Sequence, residues 1–353
     1  EIAHETFGTL NAARDNAILL FHALTGSHHA AGHDPTGPHN EFWMGDTHLG
    51  WWDDFIGPGK ALDTDKFFVV CCNYLGGCYG STGPASIDPE TGQPFGSRFP
   101  WPSIGDIVRS QFAVLDALGI DRLVAVVGAS VGGLCALNAA TRYPGRVRGC
   151  IVIGTGLRST VLTKAHNFEQ VYAIQEDPDF NGGDYYGGPK PWRGLCLARI
   201  ISHKTYVSLH MMEKRARAEL IQPTDVLSSY QIRHRIESYL LHQGKKFVER
   251  FDANAYLRII SAWQNFDLTA AAGGDAAATL APCKHQRWLV VSISGDVCFY
   301  PDEQAEIVDA LKANAIEHSY VTVHSDKGHD SFLLEPALYT PQIAYALAQL
   351  AVD

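Results

Sequence analysis

Short apolar runs recur along the chain, with helix-period stretches between them. Asn16–His22, Phe67–Asn73, Arg122–Val127, Cys150–Ile153, Trp288–Ser294 and Ser319–Val323 each have strand length and show little alternation. Such runs suit strands buried on both faces, as in a parallel sheet covered by helices. The spacers agree. Ile104, Ile107, Val108, Phe112, Leu115 and Leu118 fall near the helical period, and Gly119 supplies a stop. Pro301 to Leu311 opens with Pro and acidic residues, a favourable first helical turn. Strand, helix, strand repetition predicts an α/β fold with a mostly parallel sheet.

The middle of the chain differs. From about Thr155 to Thr279 there is no convincing run of core strands. Leu195 to Met212 and Ile232 to Ser261 have helical patterns, separated by polar, Gly-containing loops such as Phe180–Pro189. The expected organisation is a core made of residues 1–154 and 280–353, interrupted by a helical lid at 155–279. Ala270–Ala278 reads as a mobile small-residue connector leading back to the sheet.

Composition narrows the picture. The chain has 353 residues, enough for one large domain with a sizeable insertion. A formal net charge of -10 and the lack of a basic stretch argue against nucleic-acid binding. No apolar run reaches the ~18 residues that suggest a membrane span. No signal pattern opens the chain, so a cytoplasmic protein without a membrane partner is expected. It begins with Glu1 rather than Met, and further N-terminal residues are expected ahead of it. Eight cysteines are scattered, none as C-x-x-C, and are expected to be small buried hydrophobes.

The sharpest chemical signal is Gly128-Ala-Ser130-Val-Gly132, a G-x-S-x-G. A strand-like run precedes it and the helix-like Leu134–Thr141 follows. In that context the Ser occupies a strained turn that pushes its hydroxyl out of the sheet, as in the α/β-hydrolase fold. The Val131 N–H, at the start of the helix, can donate to a developing oxyanion. A Ser hydroxyl needs a base, and in this fold the chain order is Ser, acid, His. Asp296 follows the Trp288–Ser294 run, and His329 follows Ser319–Val323. Asp296 would fix the imidazole tautomer and stabilise the imidazolium. Leu24, in the loop after the first strong strand, is the expected second oxyanion donor. His28-His-Ala-Ala-Gly-His33 lacks paired carboxylates or cysteines at ligand spacing, so no metal is expected. Gly57-Pro-Gly-Lys60 lacks the spacing of a phosphate-binding loop.

Several stretches resemble the homoserine O-acetyltransferase family. They are His22-Ala-Leu-Thr-Gly-Ser-His-His-Ala-Ala-Gly32, Asn73-Tyr-Leu-Gly-Gly-Cys-Tyr-Gly-Ser-Thr-Gly-Pro84, Glu237-Ser-Tyr-Leu240, Arg250-Phe-Asp-Ala-Asn254 and Gly328-His-Asp330. The resemblance spans nearly the whole chain. It implies acyl transfer from acyl-CoA, here acetyl-CoA, through the Ser to the hydroxyl of L-homoserine. It also implies no permanently bound cofactor, and a homodimer built through the lid. It further implies that Arg199, Tyr206 and Asp330 recognise the amino acid. Arg199 and Tyr206 lie two helical turns apart and share a face. An Arg fork suits a carboxylate, and Asp330 would balance an ammonium.

The chain departs from that family in places. The common Gly-Gly-Ser-Met-Gly-Gly elbow is Gly128-Ala-Ser-Val-Gly-Gly133, residues 32–51 read as an enlarged loop, and Glu213-Lys-Arg-Ala-Arg217 replaces a Phe-Gly-Arg end. Some proteins similar to the family hydrolyse acetyl esters, so a carboxylic-ester hydrolase with the same triad stays open beside the transferase. A binding protein on an inactive hydrolase fold is the third reading, and retention of all three triad residues weighs against it.

Overall fold

In the computed structural model, which describes residues 1–37, 40–221 and 226–351, all six apolar runs are strands of one sheet. They are β2 (Ala17–Phe21), β3 (Phe68–Cys72), β4 (Leu123–Ala129), β5 (Val147–Ile153), β6 (Arg287–Ile293) and β7 (Glu317–Val323). A seventh strand, β1 (His4–Phe7), precedes them. The order across the sheet is β1-β3-β2-β4-β5-β6-β7. Every pairing from β3 to β7 is parallel, and β1 pairs with β3 antiparallel, His4 opposite Cys72. β1 escaped the pattern because His-Glu-Thr-Phe is short, polar and half-exposed on a sheet edge, where a strand needs no apolar face.

Helices cover both faces. α1 (Ile104–Ala117) is capped by Ser103, whose hydroxyl accepts the Asp106 N–H, and α2 (Val131–Arg142) follows β4 directly. α3 (Val161–Gln175), α4 (Trp192–Tyr206), α5 (Leu209–Ala218), α6 (Arg235–Arg250) and α7 (Ala253–Gln264) fill the middle of the chain. α8 (Pro301–Ala313) follows β6 and α9 (Pro336–Ala351) follows β7. Among the described residues of 155–279, none joins the seven-stranded sheet.

Two expected helices are each divided. The Leu195–Met212 pattern breaks at Val207 and Ser208, where both residues turn extended and the Ser208 hydroxyl caps α5. The Ile232–Ser261 pattern breaks at Phe251 and Asp252, and the Asp252 carboxylate caps α7 by accepting the Ala255 N–H at 2.9 Å. Apolar period alone cannot see either break, because the residues on both sides remain amphipathic. The small-residue connector forms a 3-10 turn, Ala270–Ala272, and a short helix, Ala276–Leu280, capped by Asp275. Seven cysteines are buried and Cys196 is half-buried, all as free thiols.

Candidate active site

The chemistry-bearing residues gather at the carboxyl ends of the parallel strands, where open α/β sheets form their crevices. Ser130 follows β4, with φ 59° and ψ -128°. Its N–H is anchored to the Ile153 carbonyl of β5 at 2.9 Å. The elbow tolerates only glycine at its flanks. A Cβ on Gly128 would lie 2.1 Å from the Gly132 carbonyl oxygen, and one on Gly132 would lie 2.3 Å from that of Phe21. The strained backbone at Ser130 is thus fixed by β2, β4 and α2 closing on one another.

Asp296 follows β6 and His329 follows β7, and the fold brings them together. His329 Nδ1 lies 2.6 Å from Asp296 Oδ2. The other oxygen, Oδ1, accepts the Cys298 and Phe299 N–H groups at 2.8 and 2.9 Å. The carboxylate is therefore held at both ends. Phe299 stacks on the imidazole at 5.7 Å and Phe332 meets it edge-on at 5.4 Å. Burial alone would depress the His329 pKa, but the opposing Asp296 charge and hydrogen bond raise it above its ordinary value, with Asp330 and Glu303 assisting. Nε2 is buried and makes no hydrogen bond to any described residue.

Ser130, His329 and Leu24 line one cavity of about 120 Å³. The expected recognition residues Arg199, Tyr206 and Asp330 line it too. The half-buried Arg199 places its guanidinium over the Tyr206 ring at 5.4 Å and the Phe247 ring at 5.1 Å. Its Nε and the Tyr206 hydroxyl are buried without partners. Burial lowers the Arg199 pKa and Arg250 adds to that, while Tyr206 and Asp330 oppose it. Burial raises Asp330, with His329 and Arg199 opposing. Val131 begins α2 beside Ser130, and the first N–H groups of a helix lack intrahelical acceptors.

Sequence reasoning missed Arg250, Trp263 and Thr25 in the cavity wall. Arg250 donates to the Thr25 carbonyl at 3.3 Å and lies 5.2 Å from the Phe247 ring centre. The α6–α7 break lies between Arg250 and Trp263, and no local pattern reveals it. The His-rich stretch is spent elsewhere: His29 Nδ1 meets Glu5 Oε2 at 2.9 Å, and Trp43 packs against both His28 and His29. Outside 38 and 39, which are not among the described residues, the enlarged loop folds back on the chain. Trp52 N–H reaches the Ala30 carbonyl at 2.9 Å, and Trp51 Nε1 reaches that of Ser27 at 2.9 Å.

Residues 16–336 match the family described as alpha/beta hydrolase fold. The chain is 43% identical to the homoserine O-acetyltransferase of Solidesulfovibrio magneticus, over 100% of its own length and 87% of the relative's. It is 45% identical to the homoserine O-succinyltransferase of Aromatoleum aromaticum, over 98% and 89%. A crystallised esterase superposes with a TM-score of 0.86 at 30% identity, covering 98% of this chain and 93% of that one.

Proposed function

Because the chain belongs to the alpha/beta hydrolase fold family, and within it to the homoserine O-acetyl- and O-succinyltransferases, we propose that it transfers an acetyl group from acetyl-CoA to L-homoserine. In this reading Ser130 Oγ attacks the thioester carbonyl while His329 Nε2 takes its proton. The oxyanion is held by the Leu24 and Val131 N–H groups. Coenzyme A leaves as the thiol, taking the proton from the imidazolium. The homoserine hydroxyl then gives its proton to His329 and attacks the acyl-enzyme, which releases the O-acyl amino acid and restores Ser130. Asp296 stabilises the imidazolium in both halves.

The observation that carries the acceptor is the half-buried Arg199, which lines the same cavity as Ser130 and Asp330. A guanidinium whose Nε is buried and unpaired is costly unless a ligand completes it. A carboxylate on one side and an ammonium on the other would do so, and a simple ester offers neither. The helices of 155–279 act as the lid that limits water at the acyl-enzyme.

The test is coenzyme A release from acetyl-CoA with and without L-homoserine, beside hydrolysis of a simple acetate ester. Homoserine-dependent release with O-acetylhomoserine as product is expected. Fast ester hydrolysis unaffected by homoserine would make the chain an esterase, the reading favoured by its likeness to the crystallised one. The same assay with succinyl-CoA addresses the donor. Arg250 gives that alternative its physical basis, as a second cation lining the cavity.

A second copy of this chain is the proposed partner. The outward face of α3 carries Val161, Phe168 and Tyr172, with exposures of 86%, 58% and 56%. They recur near the helical period and form an uncovered apolar stripe.

A further inference from the structure

Behind the Asp296–His329 pair lies a third carboxyl group that the steps above do not use. Glu303 stands in the first turn of α8, just after the Asp296 loop. One of its oxygens accepts the Tyr300 N–H at 2.9 Å and closes the helix cap. The other, Oε2, is buried without a hydrogen-bond partner. Capping alone does not call for this, since a first-turn Glu caps equally well from solvent.

The turn after β5 is shaped around these groups. A Cβ on Gly154 would lie 3.1 Å from Asp296 Oδ2 and 3.4 Å from His329 Cε1, and one on Gly156 would lie 2.6 Å from Glu303 Oε2. Between them, the Thr155 hydroxyl donates to the Ser130 carbonyl at 3.0 Å, and the Thr155 carbonyl accepts Gln304 Nε2 at 2.7 Å. One three-residue turn therefore touches the nucleophile elbow, the His–Asp pair and the Glu303 carboxyl.

We propose that Glu303 is a positioning residue of the acyl-transfer site, whose buried, unpaired carboxylate oxygen stabilises the imidazolium form of His329 together with Asp296. This rests on the reading of Ser130, His329 and Asp296 as a triad. The titratable groups that face Glu303 are Asp296 and His329 from the strand-end loops and Glu306 from its own helix. Cys298 and Asp330 share the neighbourhood, since both interact with Asp296. Glu306 is itself paired with Arg158 at 2.6 Å. Burial pushes the Glu303 carboxyl up to about 7. The Tyr300 N–H opposes the rise, Asp296 and Glu306 add to it, and His329 draws it down. In return, Glu303 is among the charges that raise His329.

The consequence has a definite sign. His329 must be neutral to accept the Ser130 proton, so the rate falls as pH drops through its pKa. Removing the Glu303 charge destabilises the imidazolium and lowers that pKa. The acid limb then moves to lower pH, and the plateau falls because the base is weaker.

The experiment uses the acylation burst of p-nitrophenyl acetate, which needs the triad but no homoserine, measured against pH in the wild type and Glu303→Gln. The limb is expected to move down by about half a unit or more, with a plateau a few-fold lower. A Glu303→Gln limb superposable on the wild type would overturn the proposal, whatever happens to the plateau. Absence of both a burst and steady p-nitrophenol release in the wild type would instead overturn the triad reading itself. The low-field proton resonance of His329 Nδ1–H gives a readout without turnover. Its titration is expected to shift to lower pH in Glu303→Gln, and an unmoved titration counts against the proposal.

Discussion

At the scale of single residues, position and environment set the chemistry. Ser130→Ala removes the nucleophile but leaves the β4–α2 turn intact. Acyl transfer is expected to fall by at least about a thousand-fold with an unchanged circular dichroism spectrum. A folded mutant that retains substantial activity would remove Ser130 from the mechanism. Arg199 makes a sharper demand on the acceptor reading. Arg199→Lys keeps the charge but loses the planar fork that lies over Tyr206 and Phe247. Its KM for homoserine is expected to rise about ten-fold or more, while the ester acylation burst stays near the wild-type rate. Equal losses in both assays would mean that Arg199 supports the fold and not the acceptor.

At the scale of elements, the breaks matter as much as the helices. Asp252 ends the α6–α7 corner by capping α7 and also accepts from Tyr185 at 2.7 Å and Tyr186 at 3.0 Å. Burial raises its pKa, with the Tyr185 hydrogen bond opposing. Asp252→Ala strips the cap and leaves two largely buried hydroxyls without this acceptor. The loss is expected to be about 3 kcal/mol, read as a lower urea midpoint at unchanged slope. Asp252→Asn keeps a capping oxygen and should recover part of it. The corner also carries Arg250 and Trp263 into the cavity wall, so destabilisation here should be accompanied by weaker binding of the acceptor. The other break has a parallel role: Ser208 N–H meets the Lys327 carbonyl at 3.3 Å, tying the α4–α5 corner to the loop that bears His329.

At the scale of the whole molecule, α3 shows why one helix of the middle segment escaped the apolar pattern and what that implies. Its buried positions are Thr163, Asn167, Gln170 and Ile174, mostly polar, while Val161, Phe168 and Tyr172 face outward. The inward face is satisfied by specific contacts, such as the Tyr256 hydroxyl donating to Gln170 Oε1 at 2.5 Å. An amphipathic reading expects the opposite arrangement. The outward stripe is the face proposed to meet a second copy. Phe168→Glu combined with Tyr172→Glu should convert the proposed dimer to monomer by sedimentation while leaving the secondary structure unchanged. A wild type that sediments as a monomer at micromolar concentration would dispose of that assembly. Among the described residues no helix is long and apolar enough to cross a membrane.

Sequence by itself determined the framework. Five of the six runs are buried on both faces and carry few polar residues to mislead a reading, while β7, a mostly exposed edge strand, was legible from its β-branched and aromatic residues. The elbow was legible because its strand–turn–helix setting is local and Gly128 is demanded by a contact within that unit, whereas Gly132 answers to the neighbouring β2. Ser130, Asp296 and His329 could be placed after β4, β6 and β7 because strand ends are local features. Tertiary structure decided the rest. The edge strand β1 exists because β3 offers it a free side. The breaks at Val207–Ser208 and Phe251–Asp252 are fixed by partners far along the chain, Lys327 for the first and Tyr185 and Tyr186 for the second. The joining of Arg199, Arg250 and Asp330 in one cavity, and of Glu303 with the His–Asp pair, comes from contacts between distant segments, and such contacts leave no period in the sequence to be read.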